Sequence, residues 1–131
     1  MSDDNSPPQP TGIPYERAAN LISTYANNTY FESNAWDLKI VFGQLEQPPG
    51  GKAVIKQNLA VTIPWTIAKL ALYWLRVQVE AMELQSGKIT IRQDLLPAEP
   101  PPLTLDQENT PLARELRELI LKIRAEFIAG L

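Results

Sequence analysis

Asp37 is the residue of this chain that first invites a chemical reading. It stands in Trp36-Asp37-Leu38-Lys39-Ile40-Val41-Phe42, a carboxylate flanked by aromatic and aliphatic side chains. General acid–base work would require a second group to share or receive its proton, and no acid stands at a persuasive spacing. The commonest partners are missing altogether, because the sequence contains no histidine and no cysteine. That removes the usual base near neutral pH, the usual transition-metal ligand, thiol chemistry and disulfides. A metal site would have to be all oxygen, and no Asp-x-Asp-x-Asp-Gly loop is present. Gly50-Gly51-Lys52 and Gly87-Lys88 resemble fragments of phosphate loops, but neither has the G-x-x-x-x-G-K-[ST] spacing that lets successive N–H groups cradle a phosphate. They read instead as a hairpin turn and a helix stop. The expectation is no catalytic residue, no cofactor-binding residue and no metal ligand, with Asp37 solvated or satisfied in a turn.

The remaining motifs are weighed the same way. Asn27-Asn28-Thr29 fits a glycosylation sequon and is read as accidental. Pro7 to Pro10 and Pro97 to Pro100 fit PxxP, as any proline-rich segment does, and are read as linkers. Trp65, Tyr73 and Trp74 could offer an aromatic platform to a ligand, but helical spacing favours core packing and a subunit interface. Lys69 and Arg76 make at most a minor basic stripe. With 15 acidic against 12 basic residues the net charge is −3, which argues against a nucleic-acid or anionic-lipid partner. No apolar run approaches the roughly 20 residues needed to span a membrane. The start, Met-Ser-Asp-Asp-Asn-Ser-Pro-Pro, is the opposite of a secretory signal, so a soluble cytoplasmic protein is expected.

The elements that must position these residues can be read from periodicity. Residues 1–14, rich in Ser, Asp, Asn and Pro, are expected to be a disordered tail. Tyr15 to Thr24 reads as either a brief helix or a lead-in to the first strand. Thr29 to Phe31 is a short strand, Ser33-Asn34 a turn, and Ala35 to Leu45 a second strand burying Trp36, Leu38, Ile40 and Phe42. After the breakers of Gln47-Pro-Pro-Gly-Gly51, a third strand runs from Lys52 to Thr62 with Ala53, Ile55, Leu59, Val61 and Ile63 on one face. Pro64 is expected to open a helix that runs from Trp65 to Gln85 and stops at Gly87. Its stripe is Ile67, Leu70, Ala71, Trp74, Val77, Ala81 and Leu84, yet Leu72, Tyr73, Leu75, Val79 and Met82 make other faces apolar as well. One small sheet cannot cover such a helix. Lys88 to Leu96 is a candidate fourth strand. Pro97-Ala-Glu-Pro-Pro-Pro102 is a stiff extended spacer. Behind it, Thr110-Pro111 starts an amphipathic helix striped with Leu112, Leu116, Leu119, Ile120, Ile123 and Phe127, with Glu118–Lys122 and Lys122–Glu126 pairs on its other faces.

With these elements in place, Tyr25-Ala-Asn-Asn28, Trp36-Asp-Leu-Lys-Ile-Val-Phe-Gly-Gln44, and Ala60-Val-Thr-Ile-Pro64 with Ala68-Lys69 together resemble the DUF3467 family of small bacterial and archaeal proteins. The resemblance covers Tyr25 to about Gly87. It implies a small α+β domain in which strands precede a long helix, and a dimer; it implies no activity. The chain departs from the family's pattern at Ile63, where a hydroxyl residue usually precedes the proline. The N-cap hydrogen bond that hydroxyl would supply is worth roughly 1 kcal/mol.

The expected fold class is therefore α+β: a small antiparallel sheet of three to four strands packed by one long helix, with a C-terminal amphipathic helix behind a proline-rich spacer. The expected division is a tail over 1–14, a DUF3467-like domain over 15–96, a spacer over 97–109 and a C-terminal helix over 110–131. The expected function is non-enzymatic. The protein would be a homodimer that self-associates through Leu72, Leu75, Val79 and Met82. It would dock another protein through Leu116, Leu119, Ile123 and Phe127. The alternative is a chaperone-like, client-holding module, similar to SecB-type export chaperones in strand–helix order only. A small nucleotide-binding or hydrolytic enzyme ranks third.

Overall fold

A computed structural model describes residues 12–131; most of the expected tail lies outside the described residues. The chain divides into two compact units, one ending at Trp65 and the other beginning at Thr66.

The first unit is a three-stranded antiparallel sheet in the order β1 (Asn28–Ser33), β2 (Asp37–Glu46), β3 (Val54–Pro64). The turn between β2 and β3 follows from its residue types. The Gly51 N–H donates to the Pro48 carbonyl at 3.0 Å, Pro49 supplies the fixed first central position, and Gly50 takes φ +73° at the second, which is a type II turn. Tyr15 to Thr24 forms no helix and leads into the sheet, with one turn at Ala19–Asn20.

Two expectations about the sheet faces need correction. Trp36 is 81% exposed, because it sits in the turn before β2 begins rather than at the head of its inner face. Leu38, Ile40 and Phe42 are half-buried, and the one buried apolar residue among those described is Val41, at 9%. Val41 lies at the middle of the central strand, in register between Tyr30 and Ala60, where neighbours on both sides shield it. The third strand also changes face partway. Phe42 pairs with Leu59 but Gly43 with Gln57, so Asn58 is an unpaired bulge residue. A one-residue offset moves every later side chain to the other face. Ile55 therefore falls opposite Leu45 on the Val41 side, not beside Leu59, Val61 and Ile63.

The second unit is helical. Pro64 closes β3, paired with Asp37, and α1 runs Trp65–Ser86, so the proline ends a strand rather than opening a helix. Gly87 stops α1 at φ +86°, its N–H donating to the Glu83 carbonyl, the left-handed stop that glycine adopts without strain. The stretch after it is not a fourth strand. Glu83 Oε2 accepts from the Ile89 N–H, and the segment ends in a short 3-10 turn, Gln93–Leu95. Arg92 grips Asp94 there through both nitrogen–oxygen contacts, 3.1 and 2.5 Å. A one-turn helix, α2 (Leu105–Glu108), precedes α3 (Pro111–Ala129). Pro111 takes the first helical position as its missing N–H predicts, although Thr110 makes no side-chain cap. No described helix is long and apolar enough to cross a membrane.

Candidate functional site

The residues that looked most chemical lie in the β1–β2 turn. Asn34 Oδ1 accepts from the N–H groups of Trp36 (2.8 Å) and Asp37 (2.9 Å), and its Nδ2 donates to Asp37 Oδ1 at 2.8 Å. The Asn34 N–H donates to the Asp37 carbonyl at 3.1 Å. Short polar side chains hold turns in this way because they replace backbone partners. Trp65 reaches the same turn, its indole N–H donating to the Asn34 carbonyl at 2.9 Å. Asp37 is thus a turn residue whose carboxylate is already engaged.

The Gly43-Gln44 pair does comparable work at the opposite end of β2. The Asn27 N–H donates to the Gly43 carbonyl, Asn27 Oδ1 accepts from the Leu45 N–H at 2.9 Å, and Gln44 Nε2 donates to the Tyr25 carbonyl at 2.9 Å. Gly43 lies at the bulge, where a Cβ would stand 2.8 Å from the Lys56 carbonyl oxygen and 3.1 Å from Ile55 Cγ2. Only glycine admits that approach of β3. The wording that resembles a family therefore encodes the attachment of a lead-in segment, a bulge and a turn. Among the described residues no three acidic side chains are grouped so as to hold a metal ion.

The surfaces expected to bind are on the helices. Leu72 (68% exposed), Leu75 (62%), Val79 and Met82 are all exposed on α1. Leu116, Leu119, Ile123 and Phe127 are all exposed on α3. Tyr73 and Trp74 meet edge to face, with centroids 4.9 Å apart. Arg76 Nε donates to Glu80 Oε2 at 2.6 Å, which answers its charge within the helix.

A further constellation escaped the sequence reading. The proline-rich segment is extended but not free: it lies along α3. Arg124 Nε donates to the Pro97 carbonyl at 2.9 Å, and Arg117 donates to Pro101 (Nε, 3.2 Å) and Pro100 (Nη2, 3.3 Å). Arg124 also lies 3.8 Å from Glu99. The spacing accounts for the match. Seven residues of α-helix advance about 10.5 Å, and three to four residues of polyproline II advance about 9–12 Å. Pro97 and Ala98 close one side of an open recess of about 320 Å³, lined on the helix by Ile120, Ile123, Arg124 and Phe127. Two of the expected docking residues line this recess, while Leu116 and Leu119 do not. At the far end Lys88 Nζ donates to the Gly130 carbonyl at 3.0 Å. The signal that was available is the pair Arg117 and Arg124 on one face of α3, behind carbonyl-rich prolines. Likewise α2 is announced by Thr104-Leu-Asp-Gln107, a capping box in which the Thr104 side chain accepts from the Gln107 N–H and Gln107 Oε1 from the Thr104 N–H.

Compared with known protein families, curated proteins and solved structures, the chain matches none.

Proposed function

We propose that this is a non-enzymatic interaction protein of DUF3467-like build, a homodimer that uses α1 for self-association and α3 for docking a second protein. One observation carries the reading: from Thr66 to Leu131 no residue is buried, although α1 and α3 are rich in large apolar side chains. A unit with no interior of its own must gain cover from elsewhere, since apolar burial supplies most of the stabilisation that offsets chain entropy. The hydrogen bonds of Asp37 support it further, because they engage the one chemically suggestive carboxylate in holding the β1–β2 turn. A cytoplasmic setting is part of this reading.

Sedimentation equilibrium of the full chain is the test, and it should give a dimer at micromolar concentration. A chain that stays monomeric there removes the self-association half. Affinity capture with the full chain and with a truncation ending near Pro97 tests the other half: a specific partner should be lost with α3. The client-holding alternative draws on the open apolar recess beside α3. It requires binding of an unfolded polypeptide, with folded proteins ignored.

A further inference from the structure

We infer that α1 pairs with α1 of a second copy in an antiparallel, two-fold symmetric seam, centred at the level of Val77. The inference rests on the self-association reading above and specifies its geometry. Leu72, Leu75, Val79 and Met82 are spaced three, four and three residues apart on one helix. That is the a/d pattern of a two-stranded coiled coil, in which each side chain inserts between four of the facing helix. All four are exposed; half-buried Trp74 and Val77 lie on another side of α1, whereas half-buried Ala71 borders the stripe and half-buried Ala68 continues it one turn before Leu72.

The pattern is self-complementary when the second helix runs the other way. Antiparallel pairing sets Leu72 against the partner's Met82 and Leu75 against the partner's Val79. The two-fold axis repeats both layers, as an isologous interface requires.

The flanking charges decide the direction. The residues that follow the d positions are Lys69, Arg76 and Glu83, and in an antiparallel pair these flanks face their own kind. Lys69 then meets the partner's Glu83, twice by symmetry. Glu83 keeps Oε1 for this contact, since its Oε2 accepts from the Ile89 N–H. Arg76 falls opposite the partner's Arg76, and each is neutralised within its own helix by Glu80 at 2.6 Å. A parallel pair would set Ala71 and Gln78 against Arg76 and Glu83, with no opposite charges in contact.

The experiment uses the full chain, which carries no cysteine. Leu75→Asp should weaken dimerisation by at least about a hundredfold, because it buries a carboxylate in a core layer. Far-UV circular dichroism of the variant, with helix content retained, separates this effect from unfolding. Lys69→Glu should weaken the dimer by about tenfold, and adding Glu83→Lys should restore most of that loss. After oxidation, Leu75→Cys/Val79→Cys should form a covalent dimer, whereas Leu75→Cys alone should not. A covalent dimer from Leu75→Cys alone means a parallel seam and overturns the inference. A wild-type dimer indifferent to the charge swap and to the paired cysteines places the interface off this seam; it too overturns the inference, and leaves standing only that the protein dimerises. A monomeric wild type overturns both.

Discussion

At the scale of single residues, Gly43 has the least freedom to change. A methyl group there meets a carbonyl oxygen of the neighbouring strand at 2.8 Å, a backbone atom that cannot swing aside. Gly43→Ala should therefore cost about 2 kcal/mol, within the range for overpacked sites, read as a lower denaturation midpoint at unchanged slope. Asp94 gives a second prediction. Hydrogen bonding from Arg92 holds its carboxyl below the usual carboxylate range and raises the Arg92 guanidinium in turn. A depressed carboxylate pKa contributes stability above the unfolded value, and that contribution disappears as the pH falls through the folded value. An NMR titration should find Asp94 ionising below the ordinary value of about 3.9, and Arg92→Ala should return it there. Sequence reading went furthest where a residue type has one structural use, as with Gly50, Gly87 and Pro111. It failed where the partner is remote in sequence: nothing near Trp65 shows that its N–H ends on Asn34, 31 residues earlier.

At the scale of elements, all three strands and both long helices were legible, because period-2 and helical apolar patterns survive in a single sequence. What failed was register. The alternation from Ala53 to Ile63 is interrupted on paper only by Gln57, but the unpaired Asn58 divides it between two faces. Lys88 to Leu96 alternates like a strand too, and it lacks a neighbour to pair with. The proline segment was read as an extended spacer, and its contacts with α3 were not legible, since they depend on Arg117 and Arg124 further along the chain. These contacts can be tested directly. Arg117→Ala with Arg124→Ala should free the segment, lowering the heteronuclear NOE of the Ala98 and Glu99 amides towards that of a flexible chain. The helicity of α3 should be unchanged. Wild-type NOE values in the double variant would mean that the arginines do not hold the segment.

At the scale of the whole molecule, the proposed dimer couples stability to association. A chain with Val41 as the one buried apolar residue among those described has little interior to lose on unfolding, and in the proposed dimer association supplies much of the cover. The melting temperature should then rise with protein concentration, as mass action requires when only the folded form associates. A tenfold dilution series followed by circular dichroism reads this, and a melting temperature independent of concentration would count against the dimer. None of this was legible beyond the excess of apolar surface on α1, because a partner leaves no mark in a single sequence except the surface it would cover. The proline segment carries a last consequence. Pro97, Pro100, Pro101 and Pro102 offer carbonyl oxygens and no amide hydrogens, so this ribbon can receive hydrogen bonds along most of its length but hardly return them. It can be gripped by guanidinium groups, yet it makes a poor template for strand addition. Beside a helix with an exposed apolar face, the chain has laid a segment that resists recruitment into cross-β aggregates.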